Sequence, residues 1–269
     1  MNRPPIVLSI AGSDPSGGAG IQADLKTFSA LGSYGCAVLT SLTAQNTRGV
    51  TGIHPVPADF VTEQIVTLFD DLAVQATKVG MLANASIARA LATCIESTIT
   101  GPVVLDPVMV STSGSRLVDD DALDAIRGLL PLITVVTPNL HEAAVLLGRS
   151  PAADVAEMVD QAQALRRLGA PRVLVKGGHH TGPEAIDVWC DEDGPIPLSA
   201  PWVNTANTHG TGCTLSAAIA ALYPHHQDWL SSVRQAKTWL TGALEAGADL
   251  DIGHGNGPVH HFYALWSDS

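Results

Sequence analysis

Short apolar, β-branched runs alternate with amphipathic helical stretches along the chain, and this alternation limits the folds open to it. The strand-like runs are Ile6 to Ala11, Ala37 to Leu42, Ala76 to Val79, Val103 to Leu105, Ile133 to Val136, Arg172 to Val175 and a peripheral Ala185 to Cys190. Between and after them the spacing predicts helices at Ile21 to Leu31, Phe60 to Leu72, Asn84 to Glu96, Ala122 to Leu130, Leu140 to Leu147 and Asp154 to Leu168. Two more follow, one ending at Leu222 and one over Leu230 to Gly247. Strand and helix in turn, with no repeat, low-complexity run or polar linker, predict an α/β fold with one mostly parallel sheet covered on both faces. Residues 1–269 are read as a single domain.

In such a sheet the ligand site lies beyond the carboxyl ends of the strands, so the residues found there carry the functional reading. The richest stretch is Asn207-Thr208-His209-Gly210-Thr211-Gly212-Cys213-Thr214, a Gly-spaced turn running into a small-residue helix. Gly210 and Gly212 remove Cβ atoms that would bar a ligand from the backbone. The helix start then offers free N–H groups and the positive end of the helix dipole to an anion. A plain Gly-rich N-cap is the other reading of the same residues.

Other strand ends add candidates. Gln45, after the second strand, carries a donor and an acceptor that match a heterocycle with a ring nitrogen beside an amino group. Met81 ends the third strand as an apolar wall or a core residue. Asp106 ends the fourth, as a turn cap or as a carboxylate able to orient a water on Mg²⁺. Lys176, beside Gly177 and Gly178, suits a phosphate contact or a solvent-facing position. Glu142 three residues after Asn139 matches a helix capping pair, and Asp59 is a candidate cap for its helix. Ser111 to Ser115 reads as a flap.

Charge and composition narrow the partners. With 26 acidic and 14 basic residues the formal net charge is −12, and no Lys/Arg cluster is present, which excludes a nucleic-acid surface. No run reaches the length of a membrane span or resembles a signal peptide, so a cytoplasmic protein is expected. Four cysteines without CxxC spacing point to reduced thiols. The pairs His179-His180, His225-His226 and His260-His261 lack ligands at metal-binding spacing.

An anion-binding helix start, a lysine, two carboxylates and a heterocycle-reading Gln together suit phosphoryl transfer, which depends on positioning and charge neutralisation. The stretch 207–214 resembles the signature of the ribokinase superfamily, whose usual form has Asp where this chain has Cys213. Within it the chain resembles the hydroxymethylpyrimidine and phosphomethylpyrimidine kinases of thiamine biosynthesis. The matching segments are Ala11 to Asp24, Ala44-Gln45-Asn46-Thr47, Lys78 to Leu82, Asp106-Pro107-Val108-Met109, Thr137-Pro138-Asn139, Val175 to His179 and Gly253 to Val259.

The resemblance implies a ribokinase-like fold, ATP and Mg²⁺ as cofactors, a small pyrimidine substrate and a homodimer. It implies that Gln45 binds the ring with Gly12, Asp24, Met81 and Val108 around it. Asp106 and Glu142 would act near the ATP phosphates and Mg²⁺, through water, and Lys176 would touch the phosphates. Gly210, Thr211, Gly212 and Cys213 would form the catalytic anion hole, with Cys213 beside the attacking oxygen. Relatives often have Lys near Thr112 and Pro at position 141, where this chain has His141. At a helix N-terminus Cys213 is expected to have a depressed pKa. A pyridoxal kinase and a non-catalytic pyrimidine sensor remain alternatives. A sugar kinase fits less well, because a sugar calls for several carboxylates and amides.

Overall fold

The computed structural model describes residues 3–109, 120–178 and 183–266. The Ser111 to Ser115 flap, Thr112 and the pair His179-His180 fall outside the described residues. In chain order the elements are β1 (Ile6–Gly12), α1 (Gly20–Ala30), β2 (Tyr34–Asn46), β3 (Gly49–Pro55), α2 (Ala58–Asp71), β4 (Ala76–Val79), α3 (Ala85–Ser97), β5 (Val103–Leu105) and α4 (Asp120–Leu129). They continue as β6 (Val135–Val136), α5 (Leu140–Leu147), α6 (Val155–Arg167), β7 (Val173–Val175), β8 (Glu184–Asp191), β9 (Gly194–Pro201), α7 (Thr211–His226) and α8 (Trp229–Gly247).

Among the described residues nine strands form one sheet in the order β3-β2-β1-β4-β5-β6-β7-β8-β9. The six strands from β2 to β7 in that order are parallel, whereas β3, β8 and β9 join antiparallel. The central strands are apolar on both faces because both faces are covered. Leu8 and Ile10 of β1 pack into a cluster with α2, α3, α4, α5 and α6. Val7, with the opposite side-chain direction, packs into a second cluster with α1, α7 and α8. Parallel register carries the carboxyl ends of β1, β4, β5, β6 and β7 to one edge, and an isolated bridge between Asn139 and Lys176 ties two of those ends together.

The sequence reading stopped the second strand at Leu42 and put Gln45 in a loop. In the structure β2 runs to Asn46 and folds back on β3 through Thr47-Arg48, with Gln45 opposite Val50. Asp59 does not cap its helix: the cap position is Pro57, with no side-chain hydrogen bond, and Asp59 lies in the first turn of α2.

Candidate active site

A cavity of about 1050 Å³ opens at the carboxyl edge of the sheet, lined from β1, β2, β5, β7 and the start of α7. Gly12, Gln45, Met81, Asp106, Val108, Glu142, Lys176 and Gly210 to Cys213 all border it.

At one end, the α7 start is built by backbone necessity. Gly210 occupies the N-cap with φ +75°, a left-handed conformation that glycine adopts without strain. A Cβ there would also lie 1.8 Å from the Gly18 carbonyl oxygen. The N–H groups of Thr211 and Thr214 are used on Thr208 and Gly210 carbonyls. Those of Gly212 and Cys213 have no hydrogen-bond partner among the described residues, which leaves two donors at the positive end of a 16-residue helix.

Charges converge on this helix start. Lys176 Nζ donates to Asp106 Oδ1 at 2.7 Å and lies 4.0 Å from Glu142 Oε2. A Cβ on residue 212 would sit 3.1 Å from that ammonium, closer than an ordinary contact, and 3.7 Å from Asp106 Oδ2, so the glycine gives the ammonium room at the helix end. Burial acts against the Lys176 charge, but Asp106 and Glu142 hold its pKa above the ordinary lysine value. For Glu142 burial dominates, with Asp106 adding to it and Lys176 opposing, and the carboxyl is pushed up to about 7. The capping pair expected of Glu142 is present as well: its Oε2 accepts from Asn139 N–H at 2.8 Å, and Asn139 Oδ1 accepts from Glu142 N–H at 2.9 Å. One carboxylate therefore caps α5 and faces Lys176.

Cys213 departs from expectation. Its thiol is pushed up to about 11, because burial outweighs the pull of Lys78, and Asp106 and Asp24 add to the burial effect. The helix dipole does not win here: the residue is half-buried at the cavity wall with Asp106 and Asp24 acting on it, and the thiol is neutral at neutral pH.

Asp24 is a second correction. It does not border the cavity but lies fully buried beneath the floor, bound at both oxygens by the Lys78 ammonium at 2.8 and 2.9 Å and by Ser9 Oγ at 2.5 Å. Burial raises the Asp24 carboxyl. It also works against Lys78, which Asp24, with Cys213 and Asp106 beyond it, nevertheless holds above its usual value. The alternating carboxylates and ammoniums from Asp24 through Lys78, Asp106 and Lys176 to Glu142 let several buried charges stand together.

At the other end, Gln45 meets an apolar wall. A Cβ on Gly12 would fall 2.7 Å from Met81 Cε, so the glycine lets that methyl lie across the end of β1. Two further residues, unnoticed in the sequence, stand beside Gln45. Asp14 Oδ2 lies 2.8 Å from His209 Nε2, and that nitrogen is 3.4 Å from the Gln45 amide. Burial raises the Asp14 carboxyl, but the bonds from His209 and Ser16 outweigh it and hold the group down at about 2. Separation by 195 residues hid the pair. The local signals were His209 inside the Gly-spaced stretch 207–214 and Asp14 ahead of Gly17 and Gly18, and neither pointed to the other.

The last segment of the described chain clamps this corner. His209 N–H donates to the Gly257 carbonyl at 3.0 Å, His209 bridges Pro258, and Gly255 N–H reaches Thr47 Oγ1 at 3.1 Å. Asn207 Nδ2 donates to the Gly247 carbonyl.

A phosphomethylpyrimidine kinase family model matches residues 14–260. The hydroxymethylpyrimidine/phosphomethylpyrimidine kinase of Rhizobium meliloti is 53% identical over 98% of this chain and 99% of its own. The enzyme of that name from Escherichia coli is 49% identical over 96% of this chain and 98% of its own. A solved ADP complex of Bacillus subtilis pyridoxal kinase superposes with a TM-score of 0.89 at 34% identity, covering 97% of this chain and 99% of that one. A ribokinase-like sheet, a helix start faced by Lys176 with two N–H groups partnerless among the described residues, and a family match over nearly the whole length lead to one assignment: the chain belongs to the phosphomethylpyrimidine kinase family of phosphotransferases.

Proposed function

We propose that this chain transfers the γ-phosphoryl group of ATP to the hydroxymethyl oxygen of 4-amino-5-hydroxymethyl-2-methylpyrimidine, and then a second phosphoryl group to the monophosphate, for thiamine diphosphate synthesis. The observation that carries the reading is the closure of Lys176 and Asp106 on Gly212 at the start of α7, in the same cavity as Gln45.

Gln45 pairs with the ring edge, and Met81 and Val108 hold its faces. The hydroxymethyl oxygen attacks the γ-phosphorus as the bond to ADP breaks, and in a loose transition state the alcohol proton passes late to an oxygen of the transferred phosphoryl group, with little need of a strong base. Lys176 and the Gly212 and Cys213 N–H groups meet the equatorial oxygens, where negative charge gathers. The neutral Cys213 thiol lies near the acceptor without repelling a phosphate dianion, as a carboxylate would.

Among the described residues no group of three or more metal-ligating side chains occurs. Mg²⁺ needs no such cage, since it keeps waters and takes phosphate oxygens with one or two carboxylates. The residues present fit it: Asp106 and Glu142 would hold it through water, and it would neutralise phosphate charge.

We further propose a homodimer, supported by exposed Leu42 and Ile53 at the β2–β3 edge and by Phe60 on α2. A cytoplasmic setting is supported by four cysteines that are all free. No described helix is long and apolar enough to cross a membrane.

A turnover assay with ATP that follows monophosphate and diphosphate products separately tests the function. Both products from the aminopyrimidine are expected. Turnover of pyridoxal alone would instead favour the activity named for the Bacillus subtilis neighbour, and no ADP formation with any of these acceptors would leave a binding protein.

A further inference from the structure

The corner holding Asp14, His209 and Gln45 contains more information than a contact surface requires. Asp14 Oδ1 accepts from Ser16 N–H at 2.9 Å and Ser16 Oγ at 2.6 Å, and Oδ2 accepts from Gly18 N–H at 3.1 Å and Ala19 N–H at 2.8 Å. This carboxylate, held ionised with its pKa near 2, can only accept. His209 Nε2, 2.8 Å away, therefore carries a hydrogen. The His209 ring packs directly against Gly18, where an added Cβ would lie 2.4 Å from its Cδ2, and its backbone is bonded to Gly257.

As placed, Gln45 Nε2 lies 3.4 Å from His209 Nε2 and Gln45 Oε1 lies 3.3 Å from Thr43 Oγ1. The Thr43 hydroxyl spends its one hydrogen on the Ser13 carbonyl at 2.8 Å, so toward Gln45 it can only accept. An amide's oxygen and nitrogen are told apart by their partners. The partners favour the flipped amide, with its oxygen beside the His209 N–H, which it shares with Asp14, and its NH₂ toward Thr43. The reverse sets donor against donor at His209 and acceptor against acceptor at Thr43.

We propose that Asp14 and His209 are positioning residues that lock the Gln45 amide in this orientation, and that the lock selects amino over oxo heterocycles. The inference rests on the reading of Gln45 as the pyrimidine contact. The locked amide has a lone pair left to take an amino hydrogen and an N–H left to give a ring nitrogen. A 4-oxo ring presents the opposite pair, a carbonyl acceptor beside a ring N–H, and fits only a reversed amide.

The experiment compares wild type, His209→Phe and His209→Gln for turnover and calorimetric affinity, with the 4-amino substrate and its 4-oxo analogue. Phe keeps a planar ring and removes the donor. Gln restores one, and Asp14 forces the NH₂ of the new side chain toward itself. Wild type is expected to prefer the amino ring. In His209→Phe the amino-to-oxo ratio of kcat/KM should fall at least about tenfold, through a higher KM for the amino ring and a lower KM for the oxo ring with kcat nearly constant. His209→Gln should recover most of the ratio. A gain for the oxo analogue is not something a poorly folded variant produces. An unchanged ratio in His209→Phe, with wild type active, overturns the lock alone. Neither turnover nor binding of the amino compound by wild type overturns the pyrimidine reading and the lock together.

Discussion

The Lys176 ammonium lies 3.1 Å from the place a Cβ would occupy on Gly212, so the lysine and the glycine are a fitted pair. Gly212→Ala should crowd the Lys176 ammonium at the α7 start while leaving Asp106 in ordinary contact. A small shift of this kind beside the reacting atoms should lower the rate by up to about tenfold. The expected result is a lower kcat with thermal stability changed by about 1 kcal/mol or less, because alanine is a better helix former than glycine. Steady-state kinetics beside a melting curve checks it.

Removing the charge goes further than displacing it. Lys176→Met takes away the cation between Asp106 and Glu142, and kcat should fall about a hundred- to a thousandfold. Adding ATP at saturating concentration should not restore the rate, which separates lost transition-state stabilisation from weakened binding.

Glu142 makes the site sensitive to pH. Its folded pKa, about 7, is above the unfolded value of 4.5. The folded state therefore favours the protonated form, and the stability this gives is fully present below the unfolded value and is lost as pH rises through about 7. The activity has the opposite trend, because only the carboxylate serves a cation. We expect kcat/KM for ATP to rise between about pH 6 and 8 with one ionisation. Glu142→Gln should flatten that limb and make stability less dependent on pH between about 4.5 and 7.

Cys213→Asp tests why a neutral thiol, rather than a carboxylate, suits this helix start. The first phosphorylation, on an alcohol, should survive. The second, on a phosphate dianion, should fall at least about tenfold through charge repulsion. An unimpaired second step, measured by separate quantitation of the two products, would show that the repulsion is irrelevant.

Beneath the floor, Lys78→Met leaves Asp24 buried without its partner. The loss should be about 3–5 kcal/mol of folding stability, read by denaturant unfolding. The double variant Lys78→Met with Asp24→Leu should recover a large part of it. A catalytic role for Asp24 would predict lost turnover in the recovered fold.

What the sequence made legible was local or periodic. Strand and helix periods placed β1, β4, β5 and β7 and nearly every helix, and the glycines at 210 and 212 located the helix start where the charges meet. The β2–β3 hairpin escaped because its turn, Thr47-Arg48, has neither glycine nor proline and its strands are half exposed. The ion pair of Asp24 and Lys78 spans 54 residues and that of Asp14 and His209 spans 195, so neither leaves a spacing to read. Cys213 was misread for a related reason. A helix terminus is visible in sequence, but the burial that overrides its dipole comes from β1, β4 and β5.

The clamp of residues 253–260 on Thr47, Asn207 and His209 has a consequence during synthesis. Every strand of the sheet and the α7 start precede that segment in the chain, but the wall holding His209 against Asp14 needs it. A nascent chain would thus acquire its phosphate end before its acceptor end, and would become selective only once residues 253–260 are in place.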